Sequence, residues 1–249
     1  MAIRAPLTQR YYIHGRNVSG DVNTIKDSSP VATLEITSIQ DAAIARTLGL
    51  ADGLIEATVW FNDATGRAHD ALKGLRTTDA VVMHFLSDTR GEEAACLVGK
   101  QNGYDGSRNA DGSYSLTTKH EGASGVPLEW CNMLTAGEET HASATSSTGR
   151  EDTAGTSNGL IAYLNIRDID SGTPTVIIED SDDNASGDPY TTALSFAAVA
   201  DGAEPTGERV TVTGAIKKWL RATSTGTFTN LDFILATRRG LTGDRVDLS

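Results

Sequence analysis

The feature that most constrains the fold is a series of short runs rich in β-branched and aromatic residues, separated by glycine, aspartate and asparagine. Such runs favour β-strands, and the residues between them favour turns. Val212, Ile216 and Leu220 share one parity, which is typical of a strand with one buried face. The turn STGT at residues 224–227 predicts a hairpin. The predicted strands span residues 54–61, 80–86, 95–101, 113–120, 160–169, 175–180, 209–223 and 228–238.

Two short segments carry a helical pattern instead. Ser38 can cap a predicted helix over residues 38–48, in which Ile44 and Leu48 share a face. Alanine and leucine at helical spacing predict a second helix in GRAHDALKGL, residues 66–75. The predicted fold class is therefore mainly β: a β-sandwich or barrel with one or two short flanking helices, plus a C-terminal antiparallel β-sandwich part.

One polar stretch divides the chain. The sequence AGEETHASATSSTGREDTAGTSNG, residues 136–159, holds almost no large apolar residue and cannot bury enough surface to order itself alone. We therefore predict a β-rich domain with a helix at residues 1–137, a linker or long loop at 138–158, and an all-β sandwich part at 159–249.

A second polar segment lies between two predicted strands. Residues 102–113, NGYDGSRNADGS, contain the pairs Asp105-Gly106 and Asp111-Gly112, which are typical of hairpin turns. We predict an exposed loop there.

Composition and charge exclude several classes of protein. With 39% hydrophobic residues among 249, the chain can bury a core, so overall disorder is excluded. Its 21 basic and 33 acidic residues give a net charge of −12, which opposes tight binding to a phosphate backbone. No apolar stretch approaches the roughly 20 residues of a membrane span, and the first residues lack a signal-peptide core. We expect synthesis in a cytoplasm and no membrane partner.

The residues that could act in catalysis or metal binding are better interpreted as core or turn residues. Cys96 and Cys131 each lie in an apolar run, which predicts buried thiols, with a disulfide as the alternative. Ser157 lies in a G-x-S-x-G string, but no buried strand precedes it, no helix pattern follows, and no histidine lies downstream. The cluster at residues 180–184 lacks the glycine and glutamate of a calcium loop, so we predict an acidic turn. The five histidines are scattered. We predict no catalytic residue, metal site or cofactor.

Several long strings resemble one family. The chain is similar to major tail (tail tube) proteins of long-tailed bacteriophages, especially those of actinobacterial hosts. Trp219 stands where those proteins usually have a tyrosine before a Leu-Arg pair. The resemblance extends from about Tyr11 to Arg239, and the strings that carry it are residues 29–85 (SPVATLEI to VVMHF), 92–117 (EEAACLVG to SYSLT), 128–137 (LEWCNMLTAG), 175–184 (TVIIEDSDDN) and 217–239 (KKWLRATSTGTF to ILATRR).

The resemblance implies a structural virion protein with no catalytic site. Its fold would be a β-sandwich or barrel with a helix on the sheet, the one predicted over residues 38–48. Its copies would form rings, usually hexamers, that stack into a tube through which DNA leaves the capsid without being bound. Its partners would be copies of itself and other tail proteins. The loop at residues 102–113 or the polar stretch at 136–159 would reach between rings or subunits and become ordered on assembly. Our candidates for this assembly role are Tyr104, Asp105, Arg108 and Asp111.

Other functions stay open at this stage. The chain could be a capsid decoration or accessory tail protein. Its C-terminal part could also be a glycan- or partner-binding sandwich, for which Tyr163, Tyr190 and Trp219 would be the candidate sugar platform, although such aromatic residues are more often core residues.

Overall fold

The computed structural model describes residues 8–40, 42–77, 79–123 and 125–240. This part of the chain contains one α-helix, α1 (Ala68–Leu72), and two short 3-10 turns, at Ser19–Asp21 and Leu75–Thr77. Its strands are β1 (Arg10–Ile13), β2 (Arg16–Asn17), β3 (Val22–Ser28), β4 (Val31–Glu35), β5 (Arg46–Ala51), β6 (Leu54–Trp60), β7 (Asp79–Phe85), β8 (Glu93–Arg108), β9 (Tyr114–Gly122), β10 (Glu129–Met133), β11 (Glu139–His141), β12 (Arg150–Glu151), β13 (Leu160–Gly172), β14 (Thr175–Ser181), β15 (Thr191–Ser195), β16 (Thr206–Val212), β17 (Trp219–Thr225) and β18 (Phe228–Arg239).

These strands form three antiparallel sheets, which confirms the mainly β prediction. The large sheet runs β16-β13-β18-β10-β8-β7-β1-β2, with β11 joined to β18 and with β9, β6 and β3 branching from the long strand β8. A four-stranded sheet has the order β12-β17-β14-β15, and β4 pairs only with β5.

The C-terminal part is an antiparallel sandwich, as predicted. Strands β13, β16 and β18 of the large sheet face the four-stranded sheet, and apolar side chains from both sheets fill the space between them. Val176 and Ile178, two residues apart on β14, are examples, because alternate residues of a strand point to one face.

A second core lies on the other face of β13 and β18. Tyr163 and Ile161 of β13 pack there with Ile234 of β18 and with side chains of β1, β7, β8 and β10. The central strands are therefore covered on both faces, which explains their nearly continuous apolar sequence. Cys96 and Cys131 lie in this core as free, buried thiols, which confirms that prediction, and burial raises the pKa of Cys96.

A third core lies under the short helix. Ala68, Ala71 and Leu72 of α1 pack against strands β1, β6, β7 and β8. The helix predicted within residues 66–75 is confirmed.

The helix predicted over residues 38–48 is wrong. Within the described part of this segment, Thr37 Oγ1 accepts a hydrogen bond from the Ala45 N–H at 3.0 Å, and Ile36 N donates to Ala45 O at 3.0 Å. These bonds close a hairpin in which β4 pairs with β5. A helix of this length needs a surface on which to bury its apolar face, whereas Ile44 and Leu48 are exposed.

The strand predicted over residues 209–223 is two strands in different sheets. Strand β16 ends at Val212, and Gly214 adopts a φ of 101° before the chain enters β17. Ile216 kept the spacing of a single strand with Val212 and Leu220 because all three side chains reach the same sandwich core. The hairpin predicted at residues 224–227 is also wrong, because this turn connects strands of two different sheets. Strand β17 pairs with β12 and β14, while β18 pairs with β13.

Most of the predicted loop at residues 102–113 is strand. Strand β8 continues to Arg108 and pairs with β9, so Asp105-Gly106 lies within the ladder. The turn at Asp111-Gly112 is confirmed, with Gly112 at a φ of 90°.

Strands of the large sheet come from both sides of the polar stretch. Strand β10 pairs with β18, and within residues 138–158 strand β11 pairs with β18 while β12 pairs with β17. The division at 1–137, 138–158 and 159–249 stays a prediction.

Candidate assembly surfaces

The most conspicuous surface is the hairpin of β4, β5 and their connection, residues 29–40 and 42–51, called the arm below. Within the described part of the chain, its strands pair only with each other, and its side chains are mostly exposed. Leu48 is 72% exposed and Leu50 is 88% exposed. The large apolar side chains that the arm presents to solvent are Val31, Leu34, Ile36, Ile39, Ile44, Leu48 and Leu50.

The pairing of β4 with β5 determines which of these side chains act together. Thr33 lies opposite Leu48 across the ladder, and Glu35 lies opposite Arg46 nearer the tip. Val31 lies opposite Ala51, so the register shifts between Leu48 and Ala51, and this irregularity interrupts the alternation of faces beside Leu50. The arm thus carries exposed apolar side chains and one oppositely charged pair.

A second surface, called the aromatic patch below, consists of the exposed Phe61 and Tyr114 and the half-buried His69 and Tyr104. The Phe61 ring lies 4.8 Å from the His69 ring and 5.7 Å, edge to face, from the Tyr114 ring. The His69 Nδ1 and the Tyr104 hydroxyl lie 2.6 Å apart in a hydrogen bond. Such edge-to-face contacts and the hydrogen bond hold the rings in fixed orientations.

A glycine makes room for one of these rings. Tyr114 lies against Gly106 on the neighbouring strand, and a Cβ at Gly106 would lie 1.9 Å from the Tyr114 hydroxyl oxygen. The Asp105-Gly106 pair therefore has a different role from the predicted turn: its glycine accommodates an aromatic side chain.

The four predicted assembly residues lie on one hairpin, formed by β8 and β9. Tyr104 belongs to the aromatic patch, and Asp105 and Arg108 are exposed on β8. Asp111 lies in the turn, where its Oδ1 accepts hydrogen bonds from the Ser113 N–H at 2.9 Å and the Ser113 hydroxyl at 2.7 Å, which lower the pKa of Asp111. Their role in assembly stays a prediction.

The polar stretch, the other predicted reaching segment, is attached to the sandwich by a buried network. His141 Nδ1 lies 2.7 Å from the Ser224 hydroxyl, and His141 Nε2 lies 3.2 Å from the Ser147 hydroxyl. Glu139 accepts hydrogen bonds from Ser147 and from Arg90, the latter at 2.7 Å. Burial alone would raise the pKa of Glu139, but hydrogen bonds from His141, Ser147, the backbone and Arg90 outweigh it and lower that pKa to about 2.

A charged cluster, made up of Glu129, Tyr163, Arg209 and Arg238, lies at the edge of the second core. Glu129 is buried and accepts hydrogen bonds from Arg209 Nε at 2.9 Å, from Arg238 at 3.1 Å and from the Tyr163 hydroxyl. The Arg209 guanidinium also lies 5.6 Å from the centre of the Tyr163 ring. This geometry makes the cluster a structural link between β10, β13, β16 and β18.

Another set of polar groups lies inside the third core. His84 Nδ1 and Asp27 Oδ2 are 2.8 Å apart, and both side chains are largely buried. His120 is fully buried, neither ring nitrogen has a hydrogen-bond partner among the described residues, and burial lowers the pKa of His120 to about 4. His120 lies within β9 and not in a solvated turn, and its burial follows the parity of the buried Leu116 and Thr118.

The residues considered for catalysis or metal binding lie in turns or are hydrogen-bonded within the fold. Ser157 lies in a turn between the Thr156–Ile216 bridge and β13. Asp180 is buried and accepts hydrogen bonds from the Lys217 N–H at 2.9 Å and from Thr191, and the predicted turn follows it. In the described residues, no group of three or more His, Cys, Asp or Glu side chains could hold a metal ion.

The three aromatic residues considered for a sugar platform do not all lie together. Tyr163 is buried and forms part of the charged cluster. Tyr190 and Trp219 are half-buried neighbours, since a Cβ at Gly149 would contact both side chains. The Arg221 guanidinium covers the Tyr190 ring, 3.9 Å from its centre. A sugar-binding role stays a prediction.

Comparison with known proteins gives likenesses to tail structures. No family model and no curated protein matches the sequence. The tail of an empty gene transfer agent particle, refined with C6 symmetry, is 15% identical with a TM-score of 0.35, over 44% of this chain and 81% of that chain. The Dit protein of SPP1, a hub of the adsorption apparatus in phages infecting Gram-positive bacteria, is 14% identical with a TM-score of 0.35, over 93% and 99%.

The baseplate of phage p2 in its activated conformation with strontium is similar at 8% identity and a TM-score of 0.33, over 94% of this chain and 99% of that chain. All these TM-scores lie below 0.5. Among the described helices, none is long and apolar enough to span a bilayer.

Proposed function

We propose that this chain is a structural subunit of a bacteriophage tail, which assembles with copies of itself into rings that stack into a tube. The proposal unites the resemblance to major tail proteins with one structural observation. That observation is the arm, whose apolar side chains include Leu48 and Leu50 at 72% and 88% exposure.

The exposed area on the arm needs a partner. Soluble monomers seldom present a large contiguous apolar surface, and one that does usually binds another protein there. Removing a Val, Leu or Ile side chain from water contributes about 1.5–3 kcal/mol, so burying the arm contributes on the order of 10 kcal/mol. Association itself costs about 4–15 kcal/mol. The arm alone therefore supports a concentration-dependent association, which repeated contacts in a ring would strengthen.

The charge fits a conduit for DNA. The chain carries a net charge of −12, and the negative charge of a ring increases with each copy. A wall of that sign does not retain a phosphate backbone, because no counterions are released on contact. In this role the protein would be located in the virion, with other tail proteins as further partners and with no catalytic site or cofactor.

Negative-stain electron microscopy of the concentrated protein, with light scattering for mass, tests the proposal. We expect rings with a central hole, in hexamers if the resemblance extends to stoichiometry, and stacks of rings at higher concentration. Compact monomers or trimers at every concentration would contradict the tube subunit and favour a decoration protein.

A further inference from the structure

We propose that the aromatic patch is the surface that receives the arm of another copy of the chain. This inference rests on the proposed self-assembly and adds the location of the contact. It is carried by the placement of two exposed apolar surfaces at opposite ends of one strand.

Strand β6 fixes that placement. Its first residue, Leu54, follows the arm after only two residues, and Phe61 of the patch directly follows its last residue, Trp60. Seven residues of β-strand separate the ends by roughly 20 Å. On the neighbouring strand, Tyr114 marks the same end as Phe61, since the Phe61 N–H donates to Tyr114 O at 2.9 Å.

Two different surfaces at opposite ends generate a particular kind of assembly. When the arm of one copy contacts the patch of the next, both copies keep one unused surface. Such head-to-tail contacts propagate, and they produce closed rings or open stacks depending on the rotation between copies. Contact between two arms would instead stop at a dimer.

The arm is large enough for one side of an interface, and its chemistry suits the patch. The arm between Val31 and Ala51 has about the 20–30 residues that one side of a standard protein interface contributes. Its side chains are aliphatic, while the patch offers aromatic rings, which often supply the strongest contacts of an interface. Because Tyr104 holds His69 and Gly106 seats Tyr114, these rings lose little freedom on binding.

The border of the patch is polar. Asp105 and Arg108 are exposed on β8 beside Tyr104 and Tyr114. An apolar centre with a polar border is the usual organisation of a protein interface. The candidate assembly residues would then lie partly in the contact and partly on its border.

Cross-linking between copies tests the contact. One preparation carries Leu48→Cys, a second carries Phe61→Cys, and a third carries Trp130→Cys as a control aromatic with 48% exposure, against 42% for Phe61. The native Cys96 and Cys131 are buried, so the introduced thiols are the accessible ones. The Leu48→Cys protein is mixed with each of the others under mild oxidation, and products of twice the 26.2 kDa chain mass are quantified. Circular dichroism confirms that each variant is folded.

We expect the Leu48→Cys and Phe61→Cys mixture to give at least tenfold more cross-linked product than the mixture with Trp130→Cys. A dominant product from Leu48→Cys alone would overturn the inference, because it would indicate contact between arms.

Light scattering of the same samples separates the two proposals. Assemblies that form without the cross-link to position 61 would overturn this inference and leave the proposed function standing. Neither assemblies nor cross-links at high concentration would overturn both. As a second readout, Phe61→Lys should raise the concentration needed for assembly at least tenfold, whereas Trp130→Lys should leave it unchanged.

Discussion

The Tyr163 hydroxyl of β13 donates a hydrogen bond to the buried carboxylate of Glu129 on β10, two strands away in the same sheet. Arg209 and Arg238 also donate to this carboxylate. One acidic group thus satisfies donors from three other strands at the edge of the second core.

Removing that acceptor charge should be costly. Glu129→Gln removes the buried carboxylate charge that faces the Arg209 and Arg238 guanidinium groups, and breaking a buried pair in this way costs about 3–5 kcal/mol. Urea unfolding should show a loss of this size. The matched control is Glu151→Gln, which removes a surface pair with Lys218 and should cost less than about 1 kcal/mol. Equal losses in both variants would contradict the account of the cluster.

His120 should make the protein less stable in mild acid. Its pKa is about 4 in the folded chain and about 6.5 when unfolded, so between these values the unfolded state binds the extra proton. Above about pH 6.5 this group does not reduce the free energy of unfolding. As pH falls towards 4 the free energy of unfolding decreases, by about 2 kcal/mol at pH 5. His120→Leu should flatten the unfolding free energy between pH 7 and 5. Retention of the full wild-type slope by this variant would exclude His120 as the cause.

Glu139 should affect the stability of the fold at lower pH than His120 does. Its folded pKa of about 2 lies below the ordinary 4.5, so the stability it contributes is present above pH 4.5 and is lost as pH falls towards 2. The full contribution is on the order of 3 kcal/mol. Glu139→Gln should be less stable at pH 7 and show a shallower decline below pH 4.5, measured by thermal unfolding across pH. Glu121→Gln, at an exposed position, should behave like the wild type.

The core strands were predictable from sequence because their burial shows in local composition. The run at 160–169 became β13, and the run at 228–238 became β18, both rich in apolar residues because both faces are covered. Helix α1 was also predictable, since its alanines and leucines recur at helical spacing and find a sheet to cover.

The arm shows what local patterns leave undetermined. Ile44 and Leu48 have helical spacing, but no part of the described chain covers them, and strand pairing with β4 then decides the conformation. The break between β16 and β17 was missed for a related reason, because Ile216 and Leu220 reach one core from different sheets.

The candidate surface was only partly predictable. Tyr104 was selected within a polar loop, yet its partners His69, Phe61 and Tyr114 come from distant positions that only the fold brings together. Glu129 could have been noticed, because it shares the parity of the buried Cys131 and Met133.

The most direct test of self-assembly through the arm is sedimentation velocity over a wide concentration range. Wild type is compared with the double variant Leu48→Thr/Leu50→Thr, which keeps strand-forming residues but removes the exposed leucines. Thr47→Ser, at the adjacent position on β5, is the control. We predict that wild type and control form ring-sized species as concentration rises while the double variant stays monomeric. A wild type that remains monomeric, or a double variant that assembles equally well, would contradict the account.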